Sequence, residues 1–126
     1  MTSRSVHRKR ILVVDDEPAI GKICQRVLTN KGFEVDIAPD GRTAQAMISK
    51  QEYDLYLVDI RLPVMNGEEF YEWLEEEYPH SVSRVLFMTG SMIGQDTESF
   101  LKRSGRPVLP KPFTPDELKE MVNACL

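Results

Sequence analysis

The chain of 126 residues has little of what several protein classes require. No apolar stretch approaches the roughly 18 residues of a membrane-spanning helix. The net charge of −4 argues against broad nucleic-acid binding, so we predict a domain that contacts neither membranes nor nucleic acids. With 41% hydrophobic and 29% charged residues, the composition is that of one globular domain, long enough to bury a core without disulfide bonds.

Cysteine and histidine are scarce as well. The two cysteines, Cys24 and Cys125, occupy apolar positions of helical patterns, which predicts buried free thiols and a cytoplasmic protein. The two histidines, His7 and His80, lie in the polar start of the chain and in a turn. Neither a Cys/His metal site nor a histidine catalyst is indicated.

The start of the chain is polar and basic. It contains Arg4, Arg8, Lys9 and Arg10 but no apolar segment, so a secretory signal is not indicated. Residues 1–9 are predicted to be a leader or the stub of an interdomain linker, with a functional basic tail as the alternative. Residues 10–126 are predicted to form the folded domain.

Apolar residues then alternate between two kinds of spacing. Five short apolar runs are typical of buried strands, and each is followed by a segment with apolar residues at helical spacing. This alternation predicts an α/β fold, a parallel sheet with right-handed crossovers and helices on both faces. The predicted strands are residues 11–14, 33–38, 53–59, 84–89 and 108–109.

Sequence features that favour a helix N-terminus mark the start of two helices. Pro18 suits the first turn of the first helix, and Thr114, Pro115 and Glu117 form an N-cap signal for the last one. A short helix over residues 96–103 is predicted after the loosely specified segment from Gly90 to Gly94. In the first helix, the residues predicted to face the core are Ile20, Ile23, Cys24, Val27 and Leu28.

Acidic side chains follow two of the predicted strands. Asp15, Asp16 and Glu17 come directly after the first strand, and Asp59 ends the third. The carboxyl ends of parallel strands gather along one edge of the sheet, where open α/β folds bind their ligands. Because carboxylates repel one another there, a hard cation such as Mg²⁺ is predicted to bind among them.

Two further polar residues belong to the same edge. Thr89 ends the fourth strand, and Lys111 follows the fifth. A hydroxyl and an ammonium are donors for an anion, so metal, acids and donors together predict phosphoryl chemistry.

Four segments of the chain resemble the receiver domain of two-component response regulators. The resemblance covers the chain from Arg10 to Leu126. Each segment alone is weak evidence, but the four in this order and at this spacing are highly specific. The resemblance implies a flavodoxin-like, doubly wound (βα)5 fold with five parallel strands. The four segments are Ile11–Pro18, Asp59–Gly67, Thr89-Gly90 and Lys111–Phe113.

The resemblance also implies roles for individual residues. Asp59 would be the phosphoacceptor. Asp16 would coordinate Mg²⁺ directly, Asp15 mainly through water, and the backbone carbonyl of Arg61 would complete the protein ligands. Thr89 and Lys111 would contact the phosphoryl oxygens, and the bond before Pro112 would be cis.

Partners and output follow from the same resemblance. The phosphodonor would be a histidine kinase or a histidine phosphotransfer domain, and the phosphorylated domain would control a downstream protein or an attached effector. The chain would catalyse its own phosphorylation without being an enzyme in the usual sense, unless it is part of a hybrid histidine kinase.

The chain departs from the family's pattern in two places. Many receivers have Tyr or Phe three residues before the lysine, where this chain has Val108, so the switch is predicted to depend on Thr89 with Val108 in the aromatic position. The acidic and aromatic residues typical of DNA-binding, dimerising receivers are replaced by Arg103–Pro107. A monomer or weak dimer is therefore predicted, more similar to receivers attached to sensor kinases.

Three other functions fit these residues less well. A flavodoxin-like cofactor binder needs hydroxyls and amides in its first loop, where this chain has three acids. An aspartate-nucleophile phosphatase needs a second acid where Arg61 stands. A receiver that only binds partners would lack an acid, the threonine or the lysine, and all of them are present.

Overall fold

The computed structural model describes residues 8–90 and 93–126, and it contains one five-stranded parallel sheet. The strand order is β2-β1-β3-β4-β5, with every neighbouring pair parallel. This is the predicted doubly wound α/β architecture. The strands are β1 Arg10–Val14, β2 Glu34–Ala38, β3 Leu55–Asp59, β4 Val85–Thr89 and β5 Val108–Pro110.

Helices cover both faces of the sheet. Helices α1 and α5 share a core with one face, and α2, α3 and α4 share a core with the other. The helices are α1 Pro18–Asn30, α2 Gly41–Ile48, α3 Gly67–Glu77, α4 Gln95–Ser104 and α5 Pro115–Cys125, and a 3-10 helix spans Pro79–Arg84. None of these described helices combines the length and apolar character needed to cross a membrane.

Alternation along the central strands explains why both faces are buried. In β1, Leu12 and Val14 belong to the core beneath α2, α3 and α4, whereas Ile11 and Val13 belong to the core beneath α1 and α5. All four side chains are inaccessible to solvent. A strand covered on both faces has to be apolar at every position, and this is why these strands appear in the sequence as unbroken apolar runs.

Side-chain caps fix where three helices begin. Asp40 accepts a hydrogen bond from the amide of Thr43 at 2.7 Å at the start of α2. Helix α3 begins with a capping box between Asn66 and Glu69. The predicted cap of the last helix is confirmed, because Thr114 accepts from the amide of Glu117 while the Glu117 side chain accepts from the amide of Thr114.

The prediction that Ile23 faces the core was wrong. This residue is 42% exposed, whereas Gly21, Cys24 and Leu28 are the buried residues of α1. A Cβ added to Gly21 would lie 3.2 Å from Cγ2 of Ile37, so the helix approaches the sheet most closely at Gly21. That approach rotates Ile23 to the margin of the buried stripe.

The boundaries differ from prediction in smaller ways. Strand β3 begins at Leu55 instead of Tyr53, whose hydroxyl donates to Asp36 at 2.7 Å. The 3-10 helix Pro79–Arg84 was not predicted. The leader falls mostly within residues 1–7, and Ser91 and Met92 belong to the Gly90–Gly94 segment; both sets lie outside the described residues.

Candidate functional site

The carboxyl ends of the strands bring the candidate residues together. Asp15 directly follows β1, Asp59 is the last residue of β3, Thr89 is the last residue of β4, and Lys111 directly follows β5. The backbone ties two of these ends to each other, since the amide of Lys111 donates to the carbonyl of Thr89 at 2.7 Å. The parallel topology therefore places one residue from each of four strands at one edge.

The ammonium group of Lys111 is the centre of this cluster. Nζ donates to Oδ2 of Asp15 at 2.8 Å, to Oε1 of Glu17 at 3.0 Å and to Oδ2 of Asp59 at 3.2 Å. The lysine side chain is 13% exposed and that of Asp15 is fully buried. One cation thus compensates three carboxylates in a largely desolvated place.

Burial and pairing shift the pKa of these groups. Burial raises the pKa of the Asp15 carboxyl, although the hydrogen bond from Lys111 acts in the opposite direction. Burial alone would lower the pKa of Lys111, but its hydrogen bonds to Asp15 and Glu17 raise it above the ordinary value. The lysine therefore stays charged at neutral pH.

Backbone amides orient the two aspartates. The amide of Glu17 donates to Oδ1 of Asp15 at 2.8 Å, and the amide of Arg61 donates to Oδ1 of Asp59 at 3.0 Å. In each aspartate one oxygen is held by the following turn, and the other points to Lys111. This fixes the rotamers that present Oδ2 to the site.

Thr89 lies at the carboxyl end of β4, and Val108 lies at the start of β5. The Thr89 hydroxyl donates to the carbonyl of Gly90 at 3.2 Å, and its residue is 7% exposed. Val108 pairs with Phe87 across the β4–β5 ladder and packs half-buried against the core beneath α3 and α4. The peptide bond between Lys111 and Pro112 is cis, at the position where the resemblance implied one.

The acid cluster suits a hard divalent cation. One carboxylate oxygen each from Asp15, Glu17 and Asp59 lies within 4.8 Å of the other two. Carboxylate oxygens are the ligands that Mg²⁺ prefers, and three of them facing one ammonium leave excess negative charge. The donor set therefore fits the predicted metal.

Asp16 lies outside the tight group of acids. It is exposed, as Glu17 is, and both line a cavity of about 270 Å³ together with Asp59, Arg61 and Gly90. The structure thus puts Asp16 at the mouth of the site and Glu17 in the tight acidic group. The sequence shows Glu17 only as the third acid in a row; its contact with Lys111 joins residues 94 apart, which no local pattern reveals.

Cys24 lies close enough for Asp15 to influence its thiol. Burial, and to a smaller degree the charge of Asp15, raises the pKa of Cys24 to about 12. At neutral pH the group is therefore a thiol and a poor nucleophile. Cys24 and the half-buried Cys125 are both free, as predicted.

A five-stranded parallel sheet with an acid cluster and one lysine at its carboxyl edge defines a class of phosphoacceptor domains. Comparison with known proteins identifies the family. The sequence profile of the response regulator receiver domain matches residues 11–123. The chain belongs to this family, and it is a phosphoacceptor signalling domain of two-component phosphorelay systems.

Individual relatives agree with this assignment. The DNA-binding response regulator MtrA of Mycolicibacterium smegmatis is 33% identical over 119 residues, which are 94% of this chain and 51% of that protein. The transcription factor SKN7 of Saccharomyces cerevisiae is 30% identical over 115 residues, 89% of this chain and 18% of that protein. The chain therefore spans about half or less of the length of these curated relatives.

A solved structure supports the fold independently. The chemotaxis protein CheY4 of Vibrio cholerae superposes with a TM-score of 0.85 at 28% identity, covering 95% of this chain and all of that one. The predicted fold and family are thus both confirmed.

Proposed function

We propose that Asp59 accepts a phosphoryl group from a phosphohistidine. The observation that supports this most strongly is the convergence of Lys111 on Asp15 and Asp59 at the carboxyl edge of the sheet. In the transfer, a carboxylate oxygen of Asp59 attacks phosphorus, a P–O bond forms, the P–N bond breaks, and the imidazole leaves with the electron pair. A carboxylate is a weak nucleophile, so positioning and charge neutralisation supply most of the rate.

The residues around Asp59 have separate tasks in this step. The amide of Arg61 holds one Asp59 oxygen and leaves the other facing the site. Lys111 moves from its carboxylate partners to a phosphoryl oxygen, where its charge offsets the charge carried in by the donor. The chain therefore catalyses its own phosphorylation.

We propose that the cation is Mg²⁺, held by Asp15, Asp16, Asp59 and the backbone carbonyl of Arg61. Glu17 adds a further carboxylate to the same cluster. When bound, the cation neutralises charge shared between Asp59 and the incoming phosphoryl oxygens. Asp15 is anchored by the amide of Glu17 and does not need to reorient to serve such a cation.

The conformational signal is proposed to start at Thr89. Among the residues that the structure describes, its hydroxyl donates to the neighbouring Gly90 carbonyl, a contact of 3.2 Å that is readily exchanged for a phosphoryl oxygen. Val108 has no polar group and no ring to relay this movement. We propose that the movement passes through the segment from Gly90 to Gly94 into α4.

The partners are proposed from the family's chemistry. The phosphodonor is a histidine kinase or a histidine phosphotransfer domain acting in the cytoplasm. The output is a downstream protein or an effector attached in the same polypeptide. The domain itself is proposed to be monomeric or weakly dimeric and to bind no nucleic acid.

Metal-dependent labelling tests this function. The chain is incubated with acetyl phosphate, a small donor that needs no docking surface, with Mg²⁺ or with excess chelator. We expect one added phosphate in the presence of Mg²⁺ and none with chelator. Absence of labelling under both conditions would favour the alternative of a receiver that only binds partners.

A further inference from the structure

Helices α3 and α4 border a cavity that is separate from the acid cluster around Asp59. The lining residues are Tyr71, Glu72 and Glu75 of α3 and Phe100, Arg103 and Ser104 of α4. The rings of Tyr71 and Phe100 form its apolar part, with their centroids 5.6 Å apart in an edge-to-face arrangement. The cavity has a volume of about 240 Å³, which suits one side chain of a partner and is small for a metabolite.

The hydroxyl of Tyr71 belongs to this cavity. Tyr71 is 8% exposed, and within the ranges 8–90 and 93–126 no group lies in hydrogen-bonding geometry with its hydroxyl. Burial, and after it the charge of Glu75, raises the pKa of this hydroxyl, although Arg106 acts in the opposite direction. A buried hydroxyl without a partner is costly. A ligand that donates a hydrogen bond inside the cavity would remove this cost.

The α3 wall of the cavity carries negative charge without compensation. Helix α3 contains six glutamates and no lysine or arginine, and its last three residues are glutamates. Like charges three or four residues apart on a helix repel one another, and negative charge is unfavourable at a helix C-terminus. Glu72 and Glu75 form no ion pair within the part of the chain that the structure describes. A cation bound between them would relieve the repulsion.

One guanidinium already lies beside the cavity and shows what its walls accept. The Cζ atom of Arg103 lies 5.9 Å from the centroid of the Phe100 ring, and Nη2 is 3.9 Å from Oε2 of Glu68. An aromatic face and a glutamate of α3 together hold this group. Since Glu68 meets the charge of Arg103, the charges of Glu72 and Glu75 remain for a second cation.

An arginine side chain matches all of these features. Its guanidinium is planar, stacks on aromatic rings and donates several hydrogen bonds at once, whereas the ammonium of lysine is a compact charge. We propose that the cavity between α3 and α4 binds an arginine from a basic segment of a partner protein, with its guanidinium between Glu72 and Glu75 and one N–H donated to Tyr71. The contact is distinct from the phosphoryl chemistry at Asp59 and does not rest on it.

Titration with a defined peptide tests this contact. The probe is a peptide of alternating arginine and serine residues with both ends blocked, and binding is followed through the amide resonances of the full chain. We expect shifts concentrated in residues 71–75 and 100–104. The citrulline counterpart, in which an uncharged urea replaces each guanidinium, should cause none. Absence of binding, or equal shifts with the citrulline peptide, would overturn the proposal.

Two double variants with the same change in charge separate the cavity from general electrostatic attraction. Glu72→Gln with Glu75→Gln removes both carboxylates of the cavity, whereas Glu76→Gln with Glu77→Gln removes two that do not line it. The first should bind the arginine peptide about tenfold more weakly than the parent, as expected for two lost ion pairs. The second should stay within about twofold, because more distant exposed charges are screened. An equal loss in both would overturn the proposal.

Melting temperatures show whether the two cavity carboxylates serve the fold instead. Each double variant relieves repulsion within α3, so neither should melt below the parent. A Glu72→Gln and Glu75→Gln variant that bound poorly and also melted lower would place these carboxylates in the fold and overturn the proposal.

Two further variants test the hydroxyl and the source of the arginine. Tyr71→Phe keeps the ring and should weaken binding about fivefold, as expected for one lost hydrogen bond; parent affinity would remove the hydroxyl from the contact. Arg4→Gln with Arg8→Gln removes charge from the chain's own basic start and should leave the affinity for the peptide unchanged. A higher affinity would show that the start of the chain competes for the cavity, and would overturn the assignment to a partner.

Discussion

The ammonium of Lys111 and the carboxylate of Asp15 are 2.8 Å apart, although 96 positions separate them in the chain. This contact closes the site, because it joins the end of the first strand to the end of the last. It also makes the local fold dependent on charge compensation, since the Asp15 side chain has no exposure to water.

Lys111→Ala should therefore cost both stability and phosphorylation rate. Without metal, the variant leaves three clustered carboxylates uncompensated, and we expect a loss of about 2 kcal/mol in unfolding free energy, below the range for fully enclosed pairs. Mg²⁺ should restore more stability to the variant than to the parent, as urea unfolding with and without the ion would report.

The matched control for that variant is Lys102→Ala. Lys102 pairs with Glu98 at 3.6 Å on the exposed surface of α4, with 78% of its side chain accessible. Its removal should change stability by less than about 1 kcal/mol. If Lys111→Ala lost no more unfolding free energy than this control, the charge of Lys111 would not be needed to stabilise the acid cluster.

Activation should be visible in α4. Beryllofluoride, a mimic of the phosphoryl group, should shift amide resonances of the segment from Gly90 to Gly94 and of α4 in the Mg²⁺-loaded parent. Thr89→Val should bind the mimic but lose the α4 shifts, because the hydroxyl proposed to follow the phosphoryl oxygens is gone. Shifts confined to Asp59 and its neighbours in the parent would show that no such switch exists.

Gly67 is where α3 meets the end of β3. A Cβ at this position would lie 2.7 Å from Cα of Ile60 and 2.9 Å from the carbonyl oxygen of Asp59, and neither backbone atom can move without displacing Asp59. Gly67→Ala should lose about 2–3 kcal/mol of unfolding free energy. Gly94→Ala is the control and should stay near the parent value, because beyond its chain neighbours no atom of the described residues lies within 4 Å of the added Cβ.

The cap at Asp40 should give a pH-dependent contribution to stability. The amide of Thr43 holds the pKa of this carboxyl below its ordinary 3.8, so the stabilisation is complete above that value and is lost as the pH falls through the lower folded-state pKa. Asp40→Ala should cost about 1 kcal/mol at neutral pH and progressively less in acid.

Asp40→Ser retains a cap without a titrating group. Its stability relative to Asp40→Ala should be the same at neutral and acidic pH. An Asp40→Ala difference that did not shrink in acid would mean that the carboxylate charge contributes nothing to the cap.

Much of the fold could be predicted because its determinants are local. Ile11–Val14 is apolar throughout because β1 is covered on both faces, and Thr114 and Glu117 mark a helix start within four residues. The main residues of the candidate site could be predicted for the same reason, since each of them follows an apolar run.

The errors arose where contacts between residues distant in the sequence determine the exposure or the position of a side chain. Ile23 satisfies helical spacing, but its exposure depends on how closely Gly21 approaches Ile37. Glu17 joins the cluster through a lysine from the far end of the chain. The left-handed turn at Val64 also left no signal, because valine is a residue that sequence rules do not associate with positive φ.

Intact-protein mass spectrometry of Asp59→Asn tests the central claim most directly. Parent and variant are incubated with acetyl phosphate and Mg²⁺, and circular dichroism confirms that both are folded. The account predicts one added phosphate on the parent and none on Asp59→Asn. An equally labelled Asp59→Asn would contradict it, because the phosphoryl group would then be accepted elsewhere.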